Sequence, residues 1–285
     1  MPDSCLLLVG AGRMGRALLK GWIASKLTPV VVIEPAPSAE LKKLVARARA
    51  VIVPSVADAN FSNARACVVA LKPQVLRTEA ARLRGIAESG ATMISIAAGT
   101  TVQSLTKAWG RKARVVRAMP NTPGAIGHGI TALFASSAAK PKDRKLAEEL
   151  LKALGETVWL TRESDLDAVT AVSASGPAYV FLLVEALAEA ARREGLPRAV
   201  AEKLARATVA GSGALLAADA SSPEALRRAV TSPGGTTEAA LKILMAREGL
   251  SALIARAVSA ARKRAKELGE VATLPPTPSR SGRGN

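Results

Sequence analysis

The apolar run Leu6, Leu7, Leu8, Val9 passes directly into Gly10, Ala11, Gly12, Arg13, Met14 and Gly15. No other feature of the chain restricts its fold as strongly. A short unbroken apolar run suits a strand buried on both faces, and glycines at this spacing suit a tight turn ending at a helix amino terminus. Each glycine has its own task in such a turn. Gly10 takes the bend, Gly12 removes a Cβ so that a pyrophosphate can approach the backbone, and Gly15 lets helix and strand pack closely. The helix expected to begin near Met14 presents its amino end, with Arg13 and Met14, to the anion. The reading is a dinucleotide-binding α/β domain opening at the start of the chain.

The next residues extend the same pattern. Short aliphatic runs at Leu6 to Val9, Val30 to Ile33, Val51 to Val53, Ala66 to Leu71, Thr92 to Ile96 and Val115 to Arg117 alternate with helix-like segments, as a doubly wound parallel sheet requires. Gly129 to Phe134, a helix over Lys142 to Leu154, and Thr157 to Leu160 extend the sheet at its far edge, and the first domain is expected to span 1–161. Glu34 ends the second strand, where an acidic side chain accepts hydrogen bonds from the adenosine ribose and repels a 2′-phosphate. That favours NADH over NADPH and leaves both open as cofactor.

Ligands of doubly wound sheets collect beyond the carboxyl ends of the strands. Three loops stand there: Ala70 to Gln74, Ala97 to Thr100, and Met119 to Pro123. They are expected to border one crevice, with Ala70, Lys72, Pro73, Ala97 and Asn121 at the cofactor, although the prolines can equally serve only to shape turns. His128, the single histidine, lies in a Gly-His-Gly turn and is given no catalytic role.

After Arg162 no β-rich run remains, and apolar residues recur at spacings of three and four up to Leu268. A second, all-helical domain is expected over 162–270. Its longest apolar stretch, Pro177 to Arg193, is interrupted on one face by Glu185 and Glu189, which argues for a packed interior helix or a homodimer core over a membrane span. Residues 271–285 are rich in Pro, Ser, Gly and Arg and are expected to be mobile.

Composition narrows the remaining classes. The chain is 49% hydrophobic but only 2% aromatic, and its formal charge of +17 is dispersed over Ala-rich amphipathic segments. With few rings to stack on bases and no basic stripe, nucleic acid is not the expected partner. The charge is better suited to drawing an anionic cofactor and a small anionic substrate. Cys5 and Cys67 both sit in strand-like runs, so no disulfide is expected, and no metal site is expected either. The opening run has no basic leader and is too short to span a bilayer, and a cytoplasmic protein is expected.

Two stretches of the helical half are odd for helices: Ser173 to Tyr179 and Thr231 to Thr237. Both read as loops feeding a helix. In the second, Gly234 and Gly235 free the backbone to expose successive N–H groups ahead of the next helix, a suitable grip for a carboxylate. Plain helix capping is the competing explanation.

These stretches carry a resemblance. Asp167 to Ser173, running into Ser175, Gly176, Pro177, Ala178 and Tyr179, is similar to the signature of the pyrroline-5-carboxylate reductases, and Thr231 to Thr237 resembles its companion motif. The glycine turn, Ala70 to Gln74, Ser95 to Gly99 and Met119 to Pro123 fall in family order, so the resemblance covers about residues 6 to 267. It implies a Rossmann-type domain, an all-helical dimerisation domain, and NAD(P)H-dependent reduction of L-1-pyrroline-5-carboxylate to L-proline. Homodimers, often assembled further, are implied as well. The substrate would be held by Ser232, Gly234, Gly235, Thr236 and Thr237, with Ser175, Gly176 and Pro177 on the opposite wall and the Thr237 hydroxyl at the ring nitrogen. Ala174 replaces the glycine usual in the signature, and Glu34 stands where many members tolerate a phosphate. A 3-hydroxyacid dehydrogenase shares this plan but uses a lysine on the first long helix of its second domain, and no lysine occurs between Lys152 and Lys203. A dinucleotide-sensing protein without turnover is the remaining alternative, against which the intact Thr231 to Thr237 motif speaks.

Overall fold

The computed structural model describes residues 4–273. Its elements run β1 (Cys5–Val9), α1 (Arg13–Ala24), β2 (Val30–Ile33), α2 (Ala39–Val45), β3 (Ala50–Val53), β4 (Ala64–Val69), α3 (Pro73–Glu79), α4 (Arg84–Glu88), β5 (Thr92–Ser95), α5 (Val102–Trp109) and β6 (Val115–Met119). They continue with β7 (Gly129–Ala135), α6 (Pro141–Leu151), β8 (Gly155–Trp159), α7 (Asp165–Val169), α8 (Gly176–Arg193), α9 (Arg198–Ala218), α10 (Pro223–Ala229), α11 (Thr236–Leu244) and α12 (Leu250–Thr273). By packing, the described residues divide into a unit of 4–174 with 262–273 and a unit of Ser175–Ala261.

All the strands expected from sequence form one sheet in the order β3-β2-β1-β4-β5-β6-β7-β8. The unbroken apolar runs follow from burial on both faces. In β1, Leu6 and Leu8 enter a core with Leu18, Leu19 and Trp22 of α1 and Leu150 of α6, while Leu7 and Val9 enter the opposite core with Leu76, Ile86, Leu105 and Trp109. The two buried indoles keep their N–H groups bonded, Trp22 to Leu150 O at 2.8 Å and Trp109 to Ala80 O at 3.0 Å. The sheet is parallel except that β7 runs antiparallel to β6. Only 120–128 separate these strands, and a parallel return needs a crossover of about a dozen residues or more.

The helical unit departs from expectation in three places. Ser173 to Tyr179 is not an open loop: a π-helical segment, Thr170–Ala174, follows α7 directly, and α8 starts at Gly176 with Pro177 in its first turn. Helix α8 is not an interior helix of its own chain, since Phe181 is 61% and Leu182 62% exposed. The whole stretch Asp165–Arg193 has the length and hydropathy to cross a bilayer and is little buried within the chain. Helix α12 runs past Glu270 to Thr273, and the rest of the tail expected to be mobile lies outside the described residues.

Candidate active site

The glycine turn has the form its sequence requires. Gly10 has φ +86°, and a Cβ there would come within 2.8 Å of Leu71 and 3.0 Å of the Ala70 carbonyl oxygen. A Cβ on Gly15 would meet the Gly10 carbonyl, so α1 lies against the turn only because that position is glycine. Gly12 differs from both. It is exposed, caps α1 with ordinary φ, and a Cβ there would meet nothing within 4 Å. The backbone therefore does not need a glycine at 12 for its own packing, whereas a phosphate resting on the head of α1 does.

The turn borders a cavity of about 930 Å³ lined by Gly10, Glu34, Pro35, Val56, Phe61 and Leu71 among others. Largely apolar walls, with Glu34 at the rim beside the turn and Glu79 and Arg82 as the other charged residues of the lining, fit an adenosine, so these residues suit a dinucleotide. Glu34 is fixed at that rim by the backbone: its Oε2 accepts from the Ala11 amide at 2.8 Å and its Oε1 from the Ala36 amide at 3.2 Å. Each oxygen keeps a lone pair for a ribose hydroxyl.

Around the crevice the other expected residues are placed as follows. Ala70 follows β4, and its N–H joins Val9 O at 2.8 Å; Lys72 is the exposed N-cap of α3, and Pro73 opens that helix. Ala97 is buried just past β5. Asn121 lies beyond β6 with both ends of its amide in use: Oδ1 accepts from the Ile130 amide at 3.0 Å and Nδ2 donates to Ser173 Oγ at 3.2 Å. Arg13 is exposed and Met14 half-buried in the first turn of α1.

In the helical unit, Ser175 is the N-cap of α8, Gly176 and Pro177 begin it, and all three are half-buried. Thr236 and Thr237 head α11, preceded by Gly235 as N-cap and by Gly234 at φ +71°. The two glycine amides are not free as the sequence suggests. Gly234 donates to Glu238 Oε2 at 2.8 Å, and Gly235 donates to Ser232 O at 3.0 Å. The amides of Thr236 and Thr237, in the first turn of α11, remain to meet an anion.

Sequence reasoning passed over two groups. Arg117, buried in β6, pairs with Glu163 at 2.6 Å, and the same Glu163 oxygen accepts from the Val102 amide at 2.7 Å, tying the start of α5 to the segment after β8. A charged residue inside the run Val115 to Met119 was the available signal, because a buried guanidinium needs a partner. Arg16 donates from Nη1 to Ala11 O at 3.0 Å, and nothing in the sequence sets it apart from the other arginines.

The family description "Pyrroline-5-carboxylate reductase dimerisation" matches residues 163–268, and "NADP oxidoreductase coenzyme F420-dependent" matches 6–99. The pyrroline-5-carboxylate reductase of Pseudomonas aeruginosa is 38% identical over 95% of this chain and 98% of its own. The chain belongs to the pyrroline-5-carboxylate reductase family. Solved members of the family agree in fold: that of Coxiella burnetii has a TM-score of 0.86 at 36% identity, covering 93% of this chain and 98% of its own. The Plasmodium falciparum pyrroline carboxylate reductase, solved with NADP bound, has a TM-score of 0.75 at 25% identity, covering 94% of this chain and 99% of its own. Family membership also explains α8, whose exposed apolar face lies in the dimerisation match.

Proposed function

We propose that this chain reduces L-1-pyrroline-5-carboxylate to L-proline with NADH or NADPH, the last step of proline biosynthesis. The observation that supports this most is the presence of both an open glycine turn at Gly12 and a Thr-headed helix at Thr236 and Thr237 in a chain 38% identical to a curated reductase. Residues 1–161 carry the dinucleotide, and 162–270 carry the substrate and the dimer contact.

Gly10, Gly12, Arg13, Met14 and Gly15 hold the pyrophosphate, Glu34 the ribose, and Ala70, Lys72, Pro73, Ala97 and Asn121 shape the rest of the crevice. The bound dinucleotide supplies a hydride to the imine carbon. This chain's residues supply position and polarisation. The Ser232 to Thr237 loop holds the substrate carboxylate with the first-turn amides of α11, and Ser175, Gly176 and Pro177 line the other side of the substrate. The Thr237 hydroxyl donates to the ring nitrogen, which draws electrons from the imine carbon and favours hydride addition there. As hydride adds, the nitrogen takes up two protons from solvent water and ends as the protonated amine of proline.

The exposed face of α8 is covered by a second copy and not by lipid, since Glu185 and Glu189 on that helix have no place in a hydrocarbon core. Dimers assemble further, and the enzyme works in the cytoplasm. Its basic surface serves anionic small molecules, not nucleic acid. The test is an assay of the full chain with pyrroline-5-carboxylate: one proline formed per NADH oxidised supports the reading, and oxidation without proline, or none, refutes it.

A further inference from the structure

Ala11 is held on both sides, through the peptide unit before it and the peptide unit after it. Its N–H donates to Glu34 Oε2 at 2.8 Å, and its carbonyl accepts from Arg16 Nη1 at 3.0 Å. Arg16 is in turn anchored by Glu40 Oε2, 3.3 Å from its Nε. Glu34 directly follows β2 and Glu40 lies in the first turn of α2, so a single stretch of chain fastens the turn twice, once directly and once through Arg16. The Gly10 amide donates to Ile33 O at 3.0 Å and the Ala11 side chain is buried in the core, but Gly12 has no side chain to cap with, and no acidic residue sits in the first turn of α1.

The orientation of these two consecutive peptide units decides which amides face a pyrophosphate: with the Ala11 carbonyl drawn to Arg16, the Gly12 N–H of the same planar unit points the opposite way. With the Ala11 N–H turned to Glu34, the amides open to an anion begin at Gly12 and continue through Arg13 and Met14 at the head of α1. A turn that had to be ordered on binding would cost affinity, whereas one already clamped does not.

We infer that Arg16 is a positioning residue for the dinucleotide, acting on the Ala11–Gly12 peptide as Glu34 acts on the Gly10–Ala11 peptide, and not by contact with the reacting atoms. Glu34 then has two tasks, facing the ribose and setting the turn, so removing it alters geometry together with charge. The inference rests on the cofactor reading above but not on the identity of the imine substrate.

The experiment is titration of the full chain with NADH, followed by nucleotide fluorescence, for Arg16→Met, Arg16→Lys, Glu34→Gln and the Arg16→Met/Glu34→Gln double variant. Loss of one charge-assisted hydrogen bond should raise Kd about tenfold in Arg16→Met. Turnover at saturating NADH should stay within about twofold, because no group at the reacting atoms is lost. Arg16→Lys, which keeps a donor, should recover most of the affinity. The double variant should be weakened by less than the product of the two single effects, since both fix the conformation of Ala11. Should Arg16→Met fail to fold by circular dichroism, Glu40→Gln tests the same arm from the exposed surface of α2, with a Kd raised by about threefold. Wild-type affinity in Arg16→Met, or in Glu40→Gln where that stands in, overturns the inference, as do single effects that multiply. A chain that binds NADH but makes no proline would refute the proposed function and leave this test unaffected.

Discussion

The amide of Gly234 donates to Oε2 of Glu238 at 2.8 Å, so the loop opening α11 already holds one carboxylate. The bond spans one helical turn and satisfies a donor that the helix start would otherwise leave unpaired. Glu238→Ala should lower stability by about 1 kcal/mol in equilibrium urea unfolding, with Glu238→Gln in between because its amide oxygen still accepts. A fully stable alanine variant would mean that the contact contributes nothing in solution.

Glu34 sets a second expectation. Its carboxylate is pinned by two main-chain amides, so its charge cannot move aside for a 2′-phosphate. NADH should therefore be used at least as well as NADPH. Glu34→Gln, which retains an acceptor, should shift the kcat/KM ratio toward NADPH by about five- to tenfold, the worth of a near-surface charge pair. Strict NADPH use by the wild-type enzyme would place Glu34 away from the ribose.

The exposed face of α8 predicts the assembly. Phe181 and Leu182 are each more than half exposed in the isolated chain, and covering a leucine is worth about 1.5–3 kcal/mol. Leu182→Glu should move the mass measured by light scattering from dimer toward monomer while NADH still binds. An unchanged dimer would put the interface on another face.

Burial pushes the Cys67 thiol well above its ordinary value. In the unfolded chain the same thiol ionises near about 8.5. Above that pH the folded state binds one more proton than the unfolded state, so the contribution is fully present below it and is lost as pH rises. The expected slope is about −1.4 kcal/mol per pH unit, continuing toward the raised folded value. Urea unfolding between about pH 9 and 10 should show a steeper fall in stability in the wild type than in Cys67→Ala, in which the Cys5 thiol, also raised by burial, still contributes in the same direction.

Much of the first domain was legible because burial on both faces leaves unbroken apolar runs such as Leu6 to Val9, and because Gly10 and Gly15 answer to steric limits that only glycine meets. The strand directions were less so: that β7 returns antiparallel depends on connection length, which no residue pattern announces. The π segment at Thr170–Ala174 could not be read, since its composition is that of an ordinary helix. Periodicity gave α8 an apolar side and left open whether its own chain or a second copy covers it. At the site, residue types pointed to the loops, while the partners of Gly234, Asn121 and Arg16 depend on side-chain directions that spacing does not encode.

The most direct test is Thr237→Ala, with turnover of pyrroline-5-carboxylate at saturating NADH measured beside NADH affinity. Loss of the hydroxyl at the ring nitrogen should lower kcat by about tenfold or more and leave the NADH Kd unchanged. Full turnover in that variant would contradict the role given to Thr237 and, with it, polarisation of the imine by the head of α11.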